Sequence, residues 1–272
     1  MSRLRWPVIL ERAAEIVLSY DTGVTLRQLH YRLTSELLIP NSDSAYKTLS
    51  ARTAEARRAG SFPALLDRVR TIHRYQTFAG SEDARQWLVE IYRRDRTELQ
   101  AWNIYLGVEK AGIVEQLRAW FGDLGVSILA LVGYASQTYV DEVVEEIERD
   151  DRPSVLLYAG DFDPSGEDID RDFEARTACF DKIVRVALTP QQVEDYDLPP
   201  QMGKATDSRA RSFIARHGQL VQVELDALPP DVLRSLYRDA LMEFWDESAY
   251  LSVLELEASE REELQRGNAN GS

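Results

Sequence analysis

Between Trp6 and Tyr20 apolar residues recur at the spacing of an amphipathic helix, and Asp21, Thr22 and Gly23 end the pattern. A second helix is expected from Thr25, because TLRQLHYRLTSELL sets Leu26, Leu29, Leu33 and Leu37 on one face before Ile39, Pro40 and Asn41 break it. A third, SDSAYKTLSARTAEARRAG, opens on capping residues at Ser42 and closes on Gly60. SFPALLDRVRTIHRY and SEDARQWLVEIYRRDRTELQ lead onward, with QTFAG as the linker between them.

Past residue 101 the period changes. Apolar runs of strand length alternate with amphipathic stretches: NIYLGV with EKAGIVEQLRAWFGDLG, VSILALV with SQTYVDEVVEEIERDD, SVLLYAG with EDIDRDFEARTA, KIVRVAL with TPQQVEDYDL. Strand followed by helix, again and again, predicts parallel strands joined by right-handed helical crossovers, an α/β sheet. From Pro199 the chain reads as mostly helical, with RGNANGS as a frayed tail. The expected organisation is a mostly helical unit over residues 1–100, resembling a helix-turn-helix or winged helix, and an α/β unit over 101–272.

Composition narrows the class. No apolar run approaches the ~20 residues needed to span a bilayer, and charges interrupt the apolar stretch near the N-terminus, unlike a signal peptide. A cytoplasmic protein without a membrane partner is expected. The single Cys179 permits no internal disulfide and no cysteine metal cluster, and the three His residues are scattered. The net charge of −14 is unevenly spread: residues 1–100 hold 16 Lys+Arg against 12 Asp+Glu, so the remainder is strongly acidic. Arginine dominates the basic half, at Arg52, Arg57, Arg58, Arg68, Arg70, Arg74, Arg93, Arg94 and Arg96, and arginine suits phosphate recognition.

The candidate chemistry lies in SVLLYAGDFDPSGEDI, residues 154–169, where an apolar strand runs into Asp161 and Asp163, then Glu167 and Asp168. In an open parallel sheet ligands bind beyond the carboxyl ends of the strands, where Asp161 falls together with Glu109, which closes NIYLGV. Two residues apart in extended backbone, Asp161 and Asp163 point the same way, and Pro164 keeps Asp163 extended. Gly166 then permits a tight turn. Three converging carboxylates repel one another unless a cation lies between them, and hard oxygen ligands suit Mg2+, with Mn2+ as a substitute, acting on phosphates. The plainer reading of Asp163, Glu167 and Asp168 as acids complementing a helix dipole leaves Asp161 and Glu109 unexplained.

GVEKAGIVEQL together with YAGDFDPSGEDI resembles the Toprim domain, in the version found in type IIB topoisomerase A subunits (topoisomerase VI) and related proteins that make meiotic double-strand breaks. The resemblance implies Mg2+ bound by Glu109, Asp161 and Asp163. Those subunits carry a catalytic tyrosine on a winged-helix domain, in a motif similar to R-x-I-Y-Y. TLRQLHYRL aligns Arg27 with its Arg and Tyr31 with its nucleophile, while His30 replaces the first aromatic. The likeness runs roughly from Trp6 to Trp245, although the chain is shorter than the usual A subunit and nothing in it resembles the ATPase subunit, which would be a separate chain. It implies Mg2+-dependent DNA strand cleavage by a homodimer, the tyrosine of one subunit working with the metal site of another. Arg32, Lys47, Arg52 and Lys110 are the expected DNA contacts.

Helical geometry bears on Tyr31 separately, because Arg27, Tyr31 and Thr34 fall opposite the leucine stripe. Arg27, one turn earlier, can stabilise a phenolate and hold a phosphate; alternatively Tyr31 is a surface residue that stacks on DNA or packs under the next helix. Two other functions remain: a hydrolytic Toprim nuclease that needs the carboxylates and not the tyrosine, and a DNA-binding protein with a vestigial site. Tyr134, Ser136 and Gln137 lie at the same sheet edge as substrate contacts or helix caps, Lys204, Asp207 and Arg209 read as a local polar network without an assigned function, and Glu224 and Asp226 read either as further acids near the site or as a loop.

Overall fold

The computed structural model describes residues 5–20, 23–66, 75–202 and 208–269. Asp21 and Thr22 of the expected helix stop, Arg68, Arg70 and Arg74 of the basic surface, and Lys204 and Asp207 lie outside the described residues.

The N-terminal unit is built from α1 (Trp6–Leu18), α2 (Leu26–Ser35) and α3 (Asp43–Arg58). Thr25 starts α2 with a capping box, accepting from the Gln28 amide while Gln28 reaches back to the Thr25 N–H. Ser42 caps α3 through the Ala45 amide. Leu29 and Leu33 are fully buried with Ile9, Ile16, Val24 and Leu49 in a core of their own. The leucine stripe is shorter than the sequence predicts: α2 ends at Ser35, and Leu37, at a φ of 57°, is 83% exposed. An isolated parallel bridge joins Thr25 to Leu66.

The second unit is a parallel sheet of β1 (Asn103–Val108), β2 (Ser127–Ala130), β3 (Ser154–Ala159) and β4 (Lys182–Ala187), in the order β2-β1-β3-β4. Between them run α5 (Ala111–Phe121), α6 (Gln137–Glu148) and α7 (Pro164–Thr177). Alternation along the strands divides the core. Ile104, Leu106, Val108, Val155 and Leu157 pack with Ile113 and Leu117 of α5 and with Tyr237 and Leu241 of α10 (Pro230–Met242). Tyr105, Leu156 and Tyr158 pack on the other face, against Val140, Val143 and Ile147 of α6 and Phe173 of α7. Both faces are covered, which is why the strands read as continuous apolar runs.

Beyond α8 (Pro190–Asp195) the chain is not purely helical, because β5 (Gln201–Met202) and β6 (Val221–Gln222) pair antiparallel around α9 (Ala210–His217). The final helix, α11 (Glu247–Ala269), continues into the segment read as a frayed tail. It also claims the helical extension of the first hundred residues: after α4 (Ser81–Ile91), Tyr92 donates to Glu260, Arg94 pairs with Glu260, and Arg96 pairs with Glu257.

Glu257 is 2% exposed and satisfied by Arg96, Arg261 and the Arg94 amide, and the Arg96 hydrogen bond, more than the rest, holds its carboxyl below the ordinary value. A folded-state pKa that is depressed contributes stability at neutral pH and loses it as pH falls through that lowered value. Glu257→Gln is therefore expected to cost about 3 kcal/mol in urea unfolding at pH 7, because it strands buried guanidinium charge. The difference from the natural protein should narrow as pH drops below 4.5, the ordinary glutamate value, and a constant difference would contradict the assignment.

Candidate active site at the strand ends

The strand order creates one reversal. β1 leads to β2 on one side and the chain returns to β3 on the other, so the switch point lies between the carboxyl ends of β1 and β3. Glu109 follows β1 and Asp161 follows β3 after Gly160, so the topology brings this pair together. Glu109 Oε2 accepts the Asp161 amide at 2.8 Å.

Asp161 is 7% exposed and is the most enclosed acid of the group. Its Oδ1 accepts the Leu225 amide at 2.8 Å, its Oδ2 accepts the Lys110 ammonium at 2.6 Å, and its carbonyl accepts Arg185 at 2.7 Å. Lys110 also pairs with Glu224. Burial pushes the Asp161 carboxyl well above its usual range; Lys110 opposes the shift, and the Glu109 and Glu224 charges reinforce it. Glu109 is raised for the same first reason, with Asp163 adding repulsion. For Lys110, burial works against the charge, but Asp161 and Glu224 outweigh it and hold the ammonium protonated.

Asp163 has the helix-start role that the plainer reading gave it. At φ −154° it caps α7, its Oδ1 accepting the Gly166 amide at 2.6 Å, with Pro164 in the first turn. The two aspartates therefore engage different partners, although Asp163 remains near enough to Glu109 to raise it. Glu167 accepts from Arg216 and lies 2.6 Å from His217 Nε2, and Asp168 accepts the Tyr134 hydroxyl, which also receives Arg209. Ser136 caps α6, and Gln137 receives Arg176.

α2 docks directly on this edge. Gln28 Nε2 donates to the Gly112 carbonyl at 3.2 Å and Arg32 donates to the Ala227 carbonyl at 2.9 Å. Arg32, expected to face DNA, instead has a side chain only 14% exposed and serves this junction. Lys110, also expected on DNA, is committed to Asp161 and Glu224. Lys47 and Arg52 do stand exposed on α3, with Glu55 3.8 Å from Arg52.

The junction sets Tyr31 beside the acids. Its ring centroid lies 5.9 Å from Lys110 Nζ, and its hydroxyl receives Arg27 at 3.3 Å. Tyr31 is half-buried and borders two clefts, one of about 320 Å³ that Glu224 and Ala227 also line, the other shared with His30 and Tyr46. The resemblance implies a tyrosine facing the metal site of a second subunit; in this chain Tyr31 stands beside the acids of its own.

Two participants carried weak signals in the sequence. Glu224 arrives because Phe162 and Val223 exchange backbone hydrogen bonds at 2.9 and 3.0 Å, a link with no local pattern. Arg185 interrupts the apolar run KIVRVAL, and that interruption was the available clue. It pairs with Asp170 and braces the Asp161 carbonyl.

The donor chemistry of Glu109, Asp161, Asp163 and Glu224 suits Mg2+, but their arrangement is one that holds an ammonium. Among the described residues no group of three or more His, Cys, Asp or Glu side chains is placed to hold a metal ion. A divalent ion fits here only if Lys110 yields Asp161.

Gly166 follows from the same packing. A Cβ there would overlap the Asp161 carbonyl oxygen and come within 3.3 Å of Glu109 Oε2. Gly166→Ala is expected to destabilise the fold by about 2 kcal/mol through overpacking, whereas Gly122→Ala, with open space around it, should be neutral or slightly stabilising. Equal denaturation midpoints for the two variants would contradict this packing.

Compared with known proteins, the chain matches no protein-family model and no curated protein.

Proposed function

We propose that this chain cleaves the DNA backbone in the manner of a topoisomerase VI A subunit, with Tyr31 as nucleophile beside a Toprim-like acidic cluster. The observation that carries the reading is the 5.9 Å approach of Tyr31 to Lys110, which joins the tyrosine to the Asp161 cluster within one chain. In the step itself the Tyr31 oxygen forms a bond to phosphorus and gives its proton to solvent, while the bond from phosphorus to the leaving sugar oxygen breaks and that oxygen takes a proton from solvent. Arg27, already donating to the hydroxyl at 3.3 Å, stabilises the phenolate and donates to a phosphate oxygen. Glu109, Asp161 and Asp163 are the residues that would hold Mg2+ or Mn2+ once Lys110 yielded Asp161, and a bound ion would supply charge against the scissile phosphate.

The exposed Lys47 and Arg52 on α3 supply attraction for the DNA backbone that the acidic half lacks. Double-strand breakage takes one tyrosine per strand, so a homodimer is part of the proposal, with any ATPase subunit a separate chain.

Supercoiled plasmid incubated with the protein and Mn2+, then denatured, tests the reading. Asp161→Ala and Tyr31→Phe are each expected to abolish cleavage, and the natural protein should leave protein on the DNA ends. Free ends with full activity in Tyr31→Phe would mean hydrolysis instead. Mixing the two inactive variants locates the site: no recovery is expected for a site within one chain, while regained cleavage would place Tyr31 opposite a partner's acids. Replacing Lys47 by Ala should weaken DNA binding on all sequences alike and lower the salt slope by about 0.9, the loss of one phosphate contact. An unchanged slope would remove Lys47 from the interface.

A further inference from the structure

A cleft of about 460 Å³ lies where α2 meets the start of α3, and Arg27, His30, Tyr31, Asp43 and Tyr46 are among the residues that line it. One wall is aromatic: the His30 ring meets Tyr31 at 5.8 Å and Tyr46 at 5.4 Å between centroids, edge-on to both. His30 is 4% exposed, yet its Nε2 is buried without a hydrogen-bond partner, an arrangement that folding alone leaves costly. Burial, with Arg27 adding to it, holds the imidazole below its ordinary pKa, so the ring is neutral at pH 7 and carries one donor and one acceptor nitrogen. The other lining residues narrow the occupant. Arg27 also donates to the Tyr31 hydroxyl at 3.3 Å, so a phosphate met by Arg27 lies at the mouth of this cleft. Asp43, in the first turn of α3, disfavours a bare anion inside it and accepts N–H groups instead. A nucleobase meets all of these conditions: it is uncharged, it has faces that stack, it has an edge of donors and acceptors, and it is tethered to a phosphate. Inside a paired duplex both its faces are covered, so the base that enters is an unpaired one.

We propose that this cleft takes one unpaired nucleobase of a DNA strand, stacked against the Tyr31 and Tyr46 rings, with its polar edge toward His30 and its phosphate on Arg27. The inference rests on the function proposed above for the kind of ligand, DNA, and for Tyr31 as the neighbour of the scissile phosphate; it needs no metal ion and no covalent step. Its consequence is selectivity. A chain that shelters a base beside its nucleophile favours DNA whose pairing is interrupted next to the cut, because there the cost of unstacking is already met.

Fluorescence anisotropy on the full-length protein in EDTA tests this apart from any cleavage, with duplexes of one sequence: fully paired, carrying a single unpaired adenine, or carrying an abasic nucleotide in that place. The unpaired adenine should raise affinity about tenfold over the paired duplex, the usual worth of one stacked base. The abasic duplex, equally interrupted but without the base, should lose that gain. Tyr46→Ala should abolish the gain and Tyr46→Phe, which keeps the ring, should retain it. Should the Ala variant fold poorly, 15N spectra of the natural protein give a second reading: the His30 ring nitrogens, assigned by their loss in His30→Gln, should shift with the unpaired adenine and not with the abasic duplex. Free dAMP should produce the same shift only at far higher concentration, and tighter binding of dAMP than of the DNA would make the cleft a free-nucleotide site and overturn the proposal. Equal affinity for the three duplexes would also overturn it, as would a gain that persists in a folded Tyr46→Ala protein or a His30 signal that the unpaired adenine leaves unmoved. Absence of binding to any of the DNAs would overturn it together with the proposed function. A gain confined to the unpaired base, in a protein that fails to cut DNA, would uphold the cleft and sink the cleavage reading alone.

Discussion

A buried carboxylate has to be satisfied, and the enclosure of Asp161 at the switch point of the sheet organises what surrounds it. Its two oxygens draw in elements remote in sequence: the Leu225 amide, 64 residues later, and the Lys110 ammonium at the head of α5. Lys110 brings Glu224 with it, and the Phe162–Val223 bridge fixes that loop in place. The turn between is held from below by Arg185 and closed by Gly166, at a position where a methyl group does not fit. Removing the Asp161 side chain would leave Lys110 with Glu224 and the Leu225 amide without its acceptor.

The same edge receives the N-terminal unit. That unit has its own core, and its α2 is tied to the second unit by Gln28 and Arg32, each donating to a backbone carbonyl next to the acidic cluster. Tyr31, one turn after Arg27 and between the docking residues Gln28 and Arg32 in sequence, is then carried to within 5.9 Å of Lys110. The charge division of the chain takes on structural meaning: within the acidic pocket Lys110 pairs with Asp161 and Glu224, while Lys47 and Arg52 remain exposed on α3.

The α/β order was legible because the strands of the parallel sheet are largely apolar runs and the crossovers amphipathic ones; β1 runs from Asn103 to Val108, the span of the quoted NIYLGV. The meeting of Glu109 and Asp161 was legible because both follow the carboxyl ends of parallel strands, and the fold brings them within one hydrogen bond. The partners of Lys110 and Arg32 within the chain were not legible, for a common reason. A charged side chain looks like a surface contact until the tertiary fold provides a buried acid or an unpaired carbonyl, and neither Asp161 nor Ala227 is local to them. Leu37 failed differently: the helical period was extrapolated past Ser35, where the backbone turns to a positive φ. The proximity of Tyr31 to the acids depends on docking between units, which periodicity within either does not encode.

The central claim is that Tyr31 and the acidic cluster form a single DNA-cleaving site. Mass spectrometry of the peptide containing Tyr31, after reaction with DNA and nuclease trimming, addresses it most directly. The account requires a nucleotide joined to the Tyr31 oxygen in the natural protein and none in Asp161→Ala. DNA cut by the natural protein with Tyr31 recovered unmodified under denaturing quench, or an adduct on another residue, would contradict it.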